Sequence, residues 1–155
     1  MIESHIEVAV RSSFAAQGAM LALGASIVAL DAGECTLELK AHGGTSQQHG
    51  YFHGGVIGAL ADSAGGYAAN TVLMPAHECL TAEYKINFLN PARGPVLKAR
   101  GKVLRAGRSL VVATVEVTSD LEGKPVLCAI AQMTLFAVAT RTTQDPYNRS
   151  GDKKL

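Results

Sequence analysis

The stretch "HGGVIGALADSAGGYAAN", from His53 to Asn70, has the apolar periodicity of a helix and yet carries five glycines and one carboxylate. Projected at 3.6 residues per turn, Gly55, Gly58, Ala59, Asp62, Gly65, Gly66 and Ala69 fall on one side. Val56, Ile57, Leu60, Ala64, Tyr67 and Thr71 cover much of the rest. An interior glycine costs a helix roughly 0.8 to 1 kcal/mol relative to alanine, so Gly58, Gly65 and Gly66 forgo on the order of 2 to 3 kcal/mol of intrinsic propensity. A face so bare permits very close approach of another backbone or of a ligand, and Asp62 sits in the middle of it. On a structural reading the glycines only let the helix pack tightly and Asp62 makes one internal hydrogen bond. On a functional reading Asp62 has a task, because aspartate is among the residues least often buried without a partner or one.

The segments around the helix read as strands. Ile6, Val10 and Phe14 recur every four residues and predict a short amphipathic helix over Ile2 to about Phe14. "ASIVALDAGECTLELKA" is two apolar runs broken at "DAGE", a hairpin with Gly33 available for positive φ. "TAEYKINFL" alternates strictly, with Ala82, Tyr84, Ile86 and Phe88 on one face and Thr81, Glu83, Lys85 and Asn87 on the other, which predicts a half-buried strand. Leu97, Ala99, Gly101 and Val103 alternate with Lys98, Arg100 and Lys102. "RAGRS" and "LEGKP" then turn the chain into two further strands. The order helix, two strands, long helix, run of strands is an α+β pattern with helix packed on an antiparallel sheet. A chain of 155 residues fits one domain, here 1–140, and folding a chain of this size buries roughly 70% of its surface. Residues 141–155 are polar, with proline and glycine, and read as a tail.

Composition narrows the function. A formal net charge of +1 and the absence of tryptophan argue against a nucleic-acid partner. Cys35, Cys79 and Cys128 are widely spaced and odd in number, which suits reduced thiols in a cytoplasmic protein better than a disulfide framework. The most apolar run, "VLCAIAQMTLFAVAT", is shorter than the ~20 residues of a spanning helix, and Glu3 precedes any cationic leader segment, so no membrane association is expected. His49 and His53 are four apart, but neighbouring glycines and the lack of a following carboxylate favour a loop and a helix cap over a metal site. Neither metal nor cofactor is expected.

"HGG" places Gly54 and Gly55 at the helix N-terminus, where free N–H groups and the positive end of the dipole suit a developing oxyanion. Together with "QQHGYFHGGVIGALADSAGGYAA", "LTAEYKINFLNPA" and the "GR" before a valine-rich strand, it resembles the hotdog-fold acyl-CoA thioesterases of the phenylacetate-pathway, PaaI-type group. The likeness runs from the first helix to about Val138. It implies a long central helix wrapped by an antiparallel sheet, a homodimer with paired sheets, often a dimer of dimers, and an acyl-CoA substrate. Position by position, it implies that Asp62 is the catalytic carboxylate and Gly54 the residue whose backbone N–H polarises the thioester carbonyl. Thr81 falls beside the attacking water, and His53 belongs to the helix-opening motif. Gln47 stands where the family commonly has asparagine, keeping the amide on a longer arm. The chemistry is self-consistent: a thioester is already activated, so one carboxylate that deprotonates water or attacks directly, plus an N–H at the oxyanion, suffices without a triad. No GxSxG elbow occurs.

Arg105 and Arg108 flank a turn that brings two guanidinium groups together, which makes them candidates for coenzyme A phosphates, and Gly55 a candidate substrate contact. The stripe of Lys98, Arg100 and Lys102 reads equally as a solvated strand face. Two other functions fit the same fold. A hydratase or dehydratase would pair the carboxylate with a nearby histidine, and none follows Asp62 in "SAGGYAANTVLM". A non-catalytic acyl-CoA binding module would need the pocket without Asp62. The acyl group, and whether the thiol is coenzyme A or a carrier protein's arm, are left open by the residues.

Overall fold

The computed structural model describes residues 1–140, so the expected tail, 141–155, lies outside the described residues. The chain forms α1 (Ser4–Ala15), α2 (Gly18–Leu23), β1 (Ser26–Asp31), β2 (Glu34–Lys40), α3 (Gly54–Leu73), β3 (His77–Phe88), β4 (Val96–Ala106), β5 (Leu110–Leu121) and β6 (Lys124–Ala139). The six strands make one antiparallel sheet in the order β1-β2-β4-β5-β6-β3, and α3 packs across its inner face. This is the expected α+β hotdog arrangement of a long helix held by an antiparallel sheet. The short α2 is an addition to the predicted order. Only six residues long, it is too brief to show periodicity, and Gly24 ends it at φ 74°.

Alternation places the core. Cys35, Leu37 and Leu39 of β2, Leu97 and Ala99 of β4, and Val111, Ala113, Val115 and Val117 of β5 point inward and are buried against α3. From the other side α1 closes over the helix through Val10 and Phe14, and the Phe14 ring meets Tyr67 edge-on with centroids 5.2 Å apart. At the β1–β2 turn Gly33 adopts φ 76°, as its place in "DAGE" predicts.

The bare face of α3 has occupants within the same chain. A Cβ on Gly65 would overlap the Met133 sulfur, and a Cβ on Gly101 of β4 would run into the Ala64 carbonyl. Helix and sheet therefore approach so closely that side chains are excluded at both positions. Gly66 is different, since a Cβ there would make ordinary contact with Cys79 Sγ at 3.5 Å.

Two expectations for "TAEYKINFL" are corrected. First, β3 is not half-buried: Leu80, Tyr84 and Phe88 are 60%, 42% and 55% exposed, because β3 ends the sheet and pairs only with β6. Second, the alternation is not strict. The register with β6 shifts between Thr81 and Glu83, so one residue is extra there and the facing of the strand changes phase. Thr81 lies on the helix side, bonded to α3, while Tyr84, Ile86 and Phe88 beyond the bulge also turn that way.

Candidate active site

Asp62 lies midway along α3, half-buried, and its Oδ1 accepts a hydrogen bond of 2.8 Å from the Thr81 hydroxyl. The pair opens into a cavity of about 180 Å³ whose wall includes Ser63, Tyr67, Asn70, Glu78 and Cys79, with Ser13 reaching in from α1 and Gln17 from the link between α1 and α2. Both α1-side residues are anchored on α3, Ser13 Oγ on the Tyr67 hydroxyl and Gln17 Oε1 on Ser63 Oγ, each at 3.3 Å. No histidine lines this cavity. Burial, and secondarily the Asp62 charge, push the Cys79 thiol up to about 12, so it is protonated at neutral pH and donates to the Gly66 carbonyl at 3.1 Å. A thiol so held is a poor nucleophile.

At the start of α3 His53 is the N-cap. Its Nδ1 accepts the Gly55 N–H at 2.9 Å, while its carbonyl accepts Val56 and Ile57 N–H. Among the described residues the Gly54 N–H has no acceptor. His53 thus takes up the Gly55 donor and leaves Gly54 as the open one. Gly54 lines a second cavity of about 390 Å³, with Gln47, Tyr51, Phe52, Ile57 and Phe88 among its walls. The Gln47 side chain is turned into its own loop, where Oε1 accepts the His49 N–H. Arg93 stacks over Tyr51 at this rim, 4.4 Å from the ring centroid.

The candidates of the sequence therefore fall into two groups: Asp62 with Thr81, and Gly54 with His53, Gly55 and Gln47. Arg105 and Arg108 belong to neither and lie exposed at the β4–β5 turn, outside both cavities. The basic stripe of β4 is matched by β2 carboxylates, Lys98 with Glu38 at 3.3 Å and Arg100 with Glu34 at 2.7 Å. It is a paired, solvated face. Among the described residues no three histidine, cysteine, aspartate or glutamate side chains converge as metal ligands, and no helix is long and apolar enough to cross a membrane. Asn70 and Cys79 were not singled out from the sequence. Asn70 has a signal, an amide eight residues after Asp62 on the same apolar helix, and Cys79 has none.

A helix end offering a donor, a carboxylate on the same helix and a wrapping sheet are the parts that the sequence led one to expect of a thioester hydrolase. The family model of the thioesterase superfamily matches residues 49–126. A thioesterase family protein from Silicibacter pomeroyi superposes with a TM-score of 0.85 and 38% identity, covering 87% of this chain and 99% of that one. The phenylacetic acid degradation protein PaaI from Thermus thermophilus gives a TM-score of 0.67 and 31% identity, covering 77% and 98%. A 1,4-dihydroxy-2-naphthoyl-CoA hydrolase from Listeria monocytogenes is 26% identical over 100 residues, 64% of this chain and 81% of its own. The chain belongs to the thioesterase superfamily, in its hotdog-fold, PaaI-like part, and is a hydrolase of thioesters.

Proposed function

We propose that the protein hydrolyses an acyl-CoA to a free carboxylic acid and coenzyme A at a site shared by two subunits. The observation that carries this reading is the separation of the two groups. Gly54 and Asp62 are eight residues apart on one helix, about 12 Å along its axis, and they line different cavities. They cannot both touch one carbonyl. Antiparallel pairing of two α3 helices about a two-fold axis would bring Asp62 of one subunit to Gly54 of the other. The unpaired, exposed β3 edge is the natural seam for such pairing.

In this arrangement Thr81 donates to Oδ1 and leaves Oδ2 of Asp62 free to take a proton from water. The water oxygen bonds to the thioester carbon, and the carbonyl oxygen gains the charge that the Gly54 N–H of the partner subunit stabilises. Collapse breaks the C–S bond, and the proton on Asp62 passes to the leaving thiolate. Direct attack by Asp62 is the competing course, distinguished by incorporation of heavy oxygen from labelled water into the Asp62 carboxylate. The larger cavity by Gly54 opens outward, which suits a pantetheine arm. A coenzyme A leaving group is favoured by the likeness to a naphthoyl-CoA hydrolase. Hydration chemistry is disfavoured, because the Asp62 cavity of one chain has no histidine and His53, which the pairing would bring near, has its Nδ1 engaged by the Gly55 N–H.

Mixed dimers test the sharing. Asp62→Asn removes the carboxylate, and Gly54→Pro removes the N–H at a helix position where proline is tolerated. Each alone should be nearly inactive. Mixed in equal amounts, half the dimers should hold one intact site, restoring roughly a quarter of parent turnover. If both variants fold and exchange subunits yet no activity returns, the shared site is wrong.

A further inference from the structure

We infer that Asn70 is a positioning residue that sets Thr81 against Asp62 by fixing where β3 bulges. The inference rests on the roles proposed above for Asp62 and Thr81. Asp62, Gly66 and Asn70 stand at successive i+4 positions of α3, about 6.0 Å apart along the axis. Cys79 and Thr81 stand two apart on β3, about 6.6 Å. The near match of these repeats lets the strand bind the helix in rungs. Thr81 Oγ1 bonds Asp62 at 2.8 Å, Cys79 Sγ bonds the Gly66 carbonyl at 3.1 Å, and the Cys79 N–H bonds Asn70 Oδ1 at 2.9 Å.

The rungs differ in security. Thr81 is exposed and water competes for its hydroxyl, and a thiol is a weak donor. Asn70 is only 7% exposed, so its oxygen holds the Cys79 N–H with little competition. That N–H belongs to the last strand of the sheet, where a donor on the open side has no neighbouring strand to take it.

The hold has a consequence because the bulge begins immediately after Thr81. Residues before it face by one phase and residues after it by the other, so a bulge displaced by one residue toward His77 would make Thr81 itself the extra residue and take it off the phase that faces Asp62. The β6 ladder flanks the bulge on both sides, and backbone pairing by itself does not choose among neighbouring positions for it. Asn70 grips the strand two residues before Thr81 and ties that phase to the helix bearing Asp62.

Two variants and a cycle test this. Asn70→Leu is close in volume and lacks the acceptor, whereas Asn70→Asp keeps an oxygen in place. Thr81→Val supplies the reference. If Asn70 acts through Thr81, Asn70→Leu should lower kcat by about the same factor as Thr81→Val, roughly tenfold, with KM changed less than about twofold. Added to Thr81→Val it should cost no more than about twofold further, since the interaction it serves is already gone. Asn70→Asp should stay within about threefold of the parent. Multiplying losses in the double variant, or an unchanged kcat in Asn70→Leu, would overturn the inference. An unchanged kcat in Thr81→Val is a separate result and refutes the chemistry proposed for Thr81. The crystal structure of Asn70→Leu then decides the placement alone, a displaced bulge supporting the inference and an intact Thr81–Asp62 bond sinking it. Should Asn70→Leu fail to fold, Asn70→Ser, whose hydroxyl falls short of the Cys79 N–H, takes its place with the same expected outcomes.

Discussion

At residue scale the contrast is between Asp62 and the hydroxyl that touches it. Asp62→Asn keeps shape and can still accept from Thr81, but it cannot take a proton from water. It should lower turnover by about 10² to 10⁴ and leave the thermal midpoint nearly unchanged. Thr81→Val removes only a donor to a carboxylate that solvent reaches, so its loss should be distinctly smaller. Steady-state kinetics on both variants with one acyl-CoA checks the ranking, and equal losses would show that it is mistaken. Cys79 touches the same cavity, but the burial that raises its thiol makes it a poor nucleophile beside Asp62.

Elements meet most closely where glycines stand, and the three glycine sites should respond differently to alanine. At Gly101 the new methyl would strike the Ala64 carbonyl, which is backbone and cannot swing away, so Gly101→Ala should destabilise by about 1 to 3 kcal/mol or more. Gly65→Ala would press on Met133 and on Val115, 3.2 Å away, and should also destabilise, though methionine can yield in part. Gly66→Ala meets only ordinary contacts and should stabilise by up to about 1 kcal/mol through helix propensity. Thermal denaturation of the three variants measures this order. If Gly101→Ala were as stable as the parent, the close helix–sheet approach would be wrong.

For the whole molecule, the arrangement leaves work undone within one chain. The twelve-residue β3 has an open edge, the apolar Leu80, Tyr84 and Phe88 are exposed along it, and the two groups proposed to act on one carbonyl sit in separate cavities. The active species should therefore sediment at no less than twice the 16.2 kDa of one chain. Full turnover from a species of single-chain mass would overturn the shared site.

The long helix, its glycine face, the hairpin before it and the strands after it were legible in the sequence, because each depends on local period and turn residues. So were Asp62 and the helix-opening "HGG", since a carboxylate and a glycine pair stand out against an apolar helix. The alternation of β3 was misread at one point. A bulge leaves no mark in a run where Thr81 and Ala82 are equally at home on either face, and only the packing of β3 against β6 and α3 decided that Thr81 turns to Asp62. Tertiary structure also decided which glycines were indispensable, because the Met133 sulfur and the Ala64 carbonyl come to Gly65 and Gly101 from other elements. It likewise decided that His53 would take the Gly55 N–H and leave Gly54 open, and that Asn70 would hold the edge strand. Periodicity records what a residue's own segment needs; contacts made across segments are fixed only when the elements pack.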